Sequence, residues 1–420
     1  MSLRTIILSW LLSLPSVTIA QDYQHFFNEG KKAFAEKRYP GFYAQMKKAH
    51  ELHPYHQTIL WYAGVAAALT DHPDEAITFL TKAININTGY NLNDSSLNAL
   101  RTRPAFQTLI QTQAKLSKPM VRSDTAYIFQ DRQLHLEAVA FDPVEKTLYG
   151  GSIHKRKIVK IDSRGVVSDF TGPAQYGMGS VFGVRVDAVK RILWACSSSI
   201  PEMQDYDSAL ASKVFEFDIQ SGRLIRAYSP NDTIKNHVFG DLVLDSKGAP
   251  YISDSRNNII YRVDAKSRKL VPYFSFTEFW SLQGLAFSEG DRKLYISDYV
   301  KGIFVLDTQT MELAKVSVPY DLSLKGTDGI LFYDNSLITI QNGVQPNRVV
   351  RHFLNTSGDG FMRYEFIDNA HPAFGEPTIG TLAKDTLMYV ANSQWNGYLN
   401  GTIKPENQLQ PTVVLQSTLK

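Results

Sequence analysis

The chain predicts a mainly β protein: a six-bladed β-propeller preceded by a small α-helical domain. Three observations carry that expectation. One phrase recurs down the sequence, a short strand, a polar turn, a second strand and then a third ending in Asp. It reads "VFGDLVLDSKGAPYISDSRNNIIYRVD" at 238–264 and "SLQGLAFSEGDRKLYISDYVKGIFVLD" at 281–307. Six versions align on Glu137, Phe182, Gly240, Gln283, Asp328 and Thr378, at steps of 45, 58, 43, 45 and 50 residues. Upstream the apolar spacing is helical, and residues 23–56 lie over 57–90 at a shift of 34. Strand-only repeats of about 40–50 residues are the sequence form of a propeller, and a period of about 34 is that of stacked helical hairpins. A β-sandwich is the alternative for the strands, but a sandwich has no reason to repeat its own sequence.

Residues 1–20, "MSLRTIILSWLLSLPSVTIA", place Arg4 ahead of an apolar stretch from Ile6 to Leu14 and end on Thr-Ile-Ala. That order predicts a signal peptide cut before Gln21, hence a secreted or periplasmic protein. The stretch is too short for a bilayer core of about 30 Å, and no later segment offers the ~18 uninterrupted apolar residues of a spanning helix. A net charge of +3 without a Lys/Arg-rich run leaves no argument for nucleic acid. Cys196 is the single cysteine, so the chain forms no internal disulfide and no thiolate metal cluster. It follows "ILWA" in an apolar strand and reads as a core residue.

A helical domain is expected over 21–118. Gly30 and Gly64, Ala33 and Ala67, and Ala49 and Ala83 coincide between its two units. Small residues at such positions let paired helices approach closely. Pro54 closes the first unit, and "DHPDEAITFLTKAI" supplies a start signal and an apolar face. These units resemble tetratricopeptide repeats, with Gly30, Pro54, Gly64, Ala76 and Ala83 at consensus positions and Thr88 where the final Pro would stand. The resemblance implies a groove for a peptide of a protein partner. Two repeats are few, and a helical cap packed on the larger domain is the other reading. Residues 93–116 predict a capped helix, a break at Pro104 and a further helix.

The propeller is expected over 121–420, with "TAYIF" at 125–129 and "PTVVLQS" at 411–417 available to complete the last blade and close the ring. The innermost strand of each blade runs along the central channel. The six aligned residues therefore predict a ring around one mouth of that channel, where residues far apart in sequence meet. Glu137, Gln283 and Asp328 give that ring two carboxylates and an amide, and Asp241 stands ready to add a third carboxylate. Such an oxygen-rich set suits a hard cation such as Ca²⁺. Crowded carboxylates without a cation should have raised pKa values.

The wording "GLAFSEGDRKLYISD" and "TDGILF" makes residues 121–420 resemble the SMP-30/gluconolactonase-like superfamily of six-bladed propellers, which includes paraoxonases and strictosidine synthase. In its metal-dependent members the ring is Glu in blade one, Asn in blades three and four and Asp in blade five. Glu137 and Asp328 match. Gln283 stands in place of one Asn and Gly240 in place of the other, with Asp241 matching the Asp that often follows. The resemblance implies Ca²⁺ or another divalent cation held by Glu137, Asp241, Gln283 and Asp328. It also implies a metal-dependent lactone or ester hydrolase in which Asp328 relays a proton. With Gly240 and Gln283 departing from the pattern, a non-catalytic ligand- or protein-binding propeller is the alternative.

For contacts to a small-molecule ligand, His154 and His237 lie in loops at strand ends. Asn342 and Trp395 lie in the polar loops "QNGVQPNRV" and "ANSQWNGY". His371 is a further loop histidine, and no two of these histidines have metal-ligand spacing. "GMGSVFG" at 177–183 fits neither a phosphate loop nor a nucleophile elbow and is expected as the loop before blade two.

Overall fold

The structure, a computed structural model, describes residues 16–398 and 401–420, with side chains from residue 23 onward. The apolar stretch over residues 6–14, on which the signal-peptide expectation rests, lies outside the described residues. The chain divides into two compact units, Met1–Ala114 and Lys115–Lys420. No described helix is long and apolar enough to cross a membrane.

In the first unit α1 (Ser16–Ala35) precedes α2 (Tyr39–Leu52), and α3 (Gln57–Leu69) precedes α4 (Pro73–Ile86). The glycines set the approach of each pair. A Cβ on Gly30 would fall 2.1 Å from Met46 Cε, and one on Gly64 would fall 2.7 Å from Leu80 Cγ. Ala33, Ala49, Ala67 and Ala83 are all buried, so both hairpins close on the same small-residue stripe. Pro40 and Pro73 sit in the first turns of their helices, where a missing N–H loses nothing. After α4, Asp94 accepts from Ser96 N at 2.8 Å and caps a 3₁₀ helix, Ser95–Leu100, rather than the α-helix expected there. Pro104 then opens α5 (Pro104–Ser117).

The second unit is a six-bladed propeller made of six four-stranded antiparallel sheets. The inner strands are Leu136–Asp142, Ser180–Asp187, Phe239–Leu244, Leu282–Phe287, Thr327–Phe332 and Gly380–Ala383, one per blade. The sixth blade is built from both ends of the unit. Asp124–Phe129 pairs with Thr412–Thr418, which pairs with Thr386–Val390, so both segments expected to complete the ring do so together. The core is divided among the gaps between blades. Leu285, Leu294 and Ile296 of blade four, for example, pack on Tyr251 and Ile260 of blade three.

Two local features aim residues at the axis. Five inner strands carry an irregularity where the aligned residue sits: pairing slips between Leu136 and Ala138, Val181 and Val184, Phe239 and Leu242, Leu282 and Leu285, and Thr327 and Gly329. A bulge takes a residue out of the ladder and re-aims its side chain. In four of these five strands the next residue is small (Ala138, Gly183, Gly284 and Gly329), and at the glycines the neighbouring blade's backbone lies against it. A Cβ on Gly183 would meet Leu242 N at 2.9 Å, and one on Gly284 would meet Asp328 O at 2.5 Å.

Candidate functional site

Five of the six aligned residues, Glu137, Phe182, Gly240, Gln283 and Asp328, line one cavity of about 310 Å³. The sixth, Thr378, turns away and donates from Oγ1 to Glu137 O at 2.6 Å, and its neighbour Ile379 takes the place in the wall. A second ring completes the cavity. Ser255, Tyr299 and Asn342 each follow the second strand of their blade, immediately after Asp254, Asp298 and Gln341. Glu376 and Trp395 come from the loops of blade six. Three carboxylates and three aromatic rings thus surround the space, and no Lys, Arg or His lines it among the described residues.

The carboxylates are held in defined ways. Glu137 Oε2 accepts from Ser393 Oγ at 2.7 Å and from Trp395 Nε1 at 2.9 Å. Asp328 Oδ2 accepts from Asn342 Nδ2 at 2.8 Å, and Asn342 Oδ1 in turn accepts from Tyr299 OH at 2.9 Å. Gln283 Nε2 donates to Ser281 Oγ at 3.0 Å, which leaves its carbonyl oxygen for the cavity. Burial is the main reason Glu137 holds its proton well above the usual carboxylate range, and the negative charge of Asp328 adds to it. Burial likewise lifts Asp328 to about 7, against the donated Asn342 hydrogen bond. Glu376 is raised as well, again chiefly by burial. Removal from water penalises the charged form, and like charges around one space reinforce that penalty.

The remaining expected site residues lie elsewhere. Asp241, 1 % exposed, directs Oδ1 to Arg185 at 3.1 Å and accepts from Leu242 N at 2.8 Å. Its carboxylate is a buried counter-ion and does not line the cavity. His154 shares Nδ1 with Glu202 O at 2.9 Å and packs against Tyr398, away from the cavity. His237 bonds Asp254 Oδ2 through Nδ1 at 2.7 Å, with Asp232 Oδ1 3.4 Å from Nε2, and so pins the loop before blade three. The last Asp of "YISD" is a loop clamp in both blades that carry it. Asp254 accepts from Val238 N and Asp298 from Trp280 N. Cys196 is fully buried, accepts from Gly183 N at 3.2 Å and has its thiol pKa pushed up by burial, as a core residue should.

Glu376, Tyr299 and Ser255 were not among the expected site residues. Tyr299 and Ser255 occupy one column, the position after the repeated "YISD", and that signal was present in the sequence. Glu376 has no counterpart in other blades.

For a hard cation the ligand chemistry fits in part. Glu137 Oε1, Asp328 Oδ1, Gln283 Oε1 and Ser255 Oγ remain as oxygen donors around the cavity. Ca²⁺ takes six to eight. Among the described residues no group of three His, Cys, Asp or Glu is placed to hold one ion, so solvent would complete any shell.

A family model described as major royal jelly protein matches residues 179–312. That span runs from the entry of blade two into blade four. No curated protein matches the chain in sequence. A PQQ-bound aldose sugar dehydrogenase from Streptomyces coelicolor is similar in structure, with a TM-score of 0.48, 14% identity, and coverage of 71% of this chain and 98% of that one. A gluconolactonase from Xanthomonas campestris gives 0.47, 15% identity, and 71% and 97%. A luciferin-regenerating enzyme gives 0.48, 14% identity, and 72% and 96%. All three scores fall below 0.5, and the six-bladed architecture stands on the strand pairing itself.

Proposed function

We propose that the propeller binds a small ligand in its central cavity and acts there as a divalent-metal-dependent hydrolase of lactones or related esters. The observation that carries this reading is the convergence of Glu137, Asp328 and Glu376 on one cavity without a basic side chain. Such a space favours a cation, which would also release the protons that burial holds on the carboxyls. Glu137, Gln283 and Ser255 would hold the ion, with Asp328 reaching it only through a water; Asp241, committed to Arg185, would not. When bound, the ion supplies polarisation of the ligand carbonyl. The chain's own part is proton handling. Above pH about 7 Asp328 is ionised, and with Asn342 fixing Oδ2 its Oδ1 is free to accept a proton from a water attacking the carbonyl. Tyr299 fixes Asn342, and Trp395 and Ser393 fix Glu137, so the carboxyl orientations are set before a ligand arrives.

A second, non-catalytic reading rests on a different observation: Phe182, Tyr299 and Trp395 line the same space as the carboxylates. Aromatic faces beside carboxylates suit an organic ammonium ion. The residue pattern at 1–20 supports export, and the two helical hairpins with their shared small-residue stripe support a peptide-binding role for the first unit.

The deciding experiment measures melting of the purified protein against added Ca²⁺ and tetramethylammonium, together with hydrolysis of a lactone panel with and without chelator. A rise with Ca²⁺ and chelator-sensitive turnover is expected. A rise with tetramethylammonium alone, and no turnover, would replace the first reading by the second.

A further inference from the structure

Glu376 is the third acid of the central cavity, and the hydrolysis proposed for Asp328 gives it no part. It comes from the loop that leads into blade six, and its charge bears on Glu137, Asp328 and Tyr299, which places its carboxyl at the shared space. Blade six stands between the blades that bring the other two acids. Thr378 lies against Gly329 of blade five and donates to Glu137 O of blade one. Glu376 therefore enters between Asp328, which would take the proton of the attacking water, and Glu137, which would hold the ion. Side chains hold the other two acids, Ser393 and Trp395 at Glu137 and Asn342 at Asp328. No side chain among the described residues donates to Glu376, whose Oε2 accepts from the Asn396 amide at 3.3 Å.

The backbone supplies a second, independent observation. Glu376 has a φ of 67°, in the left-handed region that a residue with a β-carbon enters only at a cost, and it precedes Pro377, which narrows its choice further. A glycine would escape that cost, yet a carboxyl side chain stands here. Ser393 N donates to Glu376 O at 3.0 Å and pins the conformation. Strain of this kind persists only where the surroundings over-determine it, and it clusters at working sites. Burial keeps the proton on Glu376 above the usual carboxylate range, with Lys404 pulling the other way. An acid that keeps its proton and is bound to no side chain is placed to give that proton up. Lactone hydrolysis needs such a donor, because an alkoxide is too basic to leave readily unprotonated near neutral pH.

We infer that Glu376 is the general acid of the reaction, protonating the oxygen that leaves the carbonyl carbon; the assignment rests on the hydrolase reading. As the water attacks, its O–H bond breaks, the proton goes to Asp328 and the oxygen bonds to the carbonyl carbon. The ring C–O bond then breaks, its electron pair stays on the leaving oxygen, and that oxygen takes the Glu376 proton. Asp328 returns its proton to solvent and Glu376 takes one up. Two six-membered lactones test this with the full chain. δ-Valerolactone releases an alkoxide, whereas dihydrocoumarin releases a phenolate, which departs with far less help. Glu376→Gln should lower kcat for δ-valerolactone about 10²–10⁴-fold, the span of one general acid, with little change in KM. Its loss on dihydrocoumarin should be smaller by about tenfold or more. Glu376→Gly, which relieves the backbone, should show the same split and melt no lower than the wild type, and it serves if Glu376→Gln folds poorly. Equal losses on both lactones, an unchanged kcat for δ-valerolactone, or early melting of both variants would overturn the inference and leave the hydrolase reading standing. A wild-type protein that turns over neither lactone would end both.

Discussion

Asp328 carries the clearest consequence at the scale of single residues. Its folded pKa of about 7 lies above the value of about 4 expected in the unfolded chain. Between those values the folded state keeps a proton that the unfolded state has released, so stability falls as pH rises through that window and is not recovered above it. Asp328→Asn removes the ionisable group, keeps the shape and should raise stability at pH 8 by roughly 1–3 kcal/mol, flattening the decline between pH 4 and 7. Thermal melts of both proteins across that range check it, and a parallel decline in the variant would assign the effect to other groups. The same substitution should abolish any hydrolysis, because the amide cannot accept the proton. Glu137, Gln283 and Asp328 were legible because they stand in a repeated column, and Asn342 and Trp395 because polar loops at strand ends line mouths. Asp241 and the two histidines were misplaced for a common reason. Sequence gives the position of a polar side chain but not its partner, and Arg185, Glu202 and Asp254 had claimed these three.

The inner strand is the element that turns repetition into a site. In five blades its bulge lifts one residue out of the ladder toward the axis, and in four of them the small residue after it lets the neighbouring strand come close. Gly284→Ala would drive a Cβ to 2.5 Å from Asp328 O and 3.0 Å from Ile330 N, both backbone atoms that can yield only by moving the blade-five strand. We expect a loss of about 2 kcal/mol or more, with displacement of the Asp328 carboxyl. Gly172→Ala, whose added carbon would have only Gln175 Oε1 within reach at 3.7 Å, should be near neutral. Denaturant melts of the pair check the contrast, and equal effects would sink it. The strands themselves were readable from period and turn residues. The bulges were not, since a slipped register depends on how two strands pair. The 3₁₀ turn at Ser95–Leu100 escaped for a similar reason: a short capped segment fixes its start but not its pitch.

For the propeller as a whole, closure is the controlling contact. Asp124–Phe129 and Thr412–Thr418 are almost 290 residues apart and sit side by side in blade six. Asp368 fastens the entry further, accepting from Arg122 N at 2.9 Å and Tyr389 OH at 2.8 Å. Ending the chain after Pro411 removes the buried Val414 and Leu415 and leaves two strands with unpaired edges. That truncation should replace one cooperative propeller transition by a broad, low-temperature one in circular dichroism; an unaltered melt would mean that five and a half blades suffice. The number of blades was legible in the sequence because each blade repeats its own words. A circle sealed by its last strand also has a timetable. While the ribosome is still adding residues, the first blade waits with one flank bare, and joining ends so distant in the chain comes late and slowly. The nascent polypeptide therefore remains unlocked until Thr412–Thr418 has been made, an interval in which a chaperone or a translocation channel can still handle it as a thread.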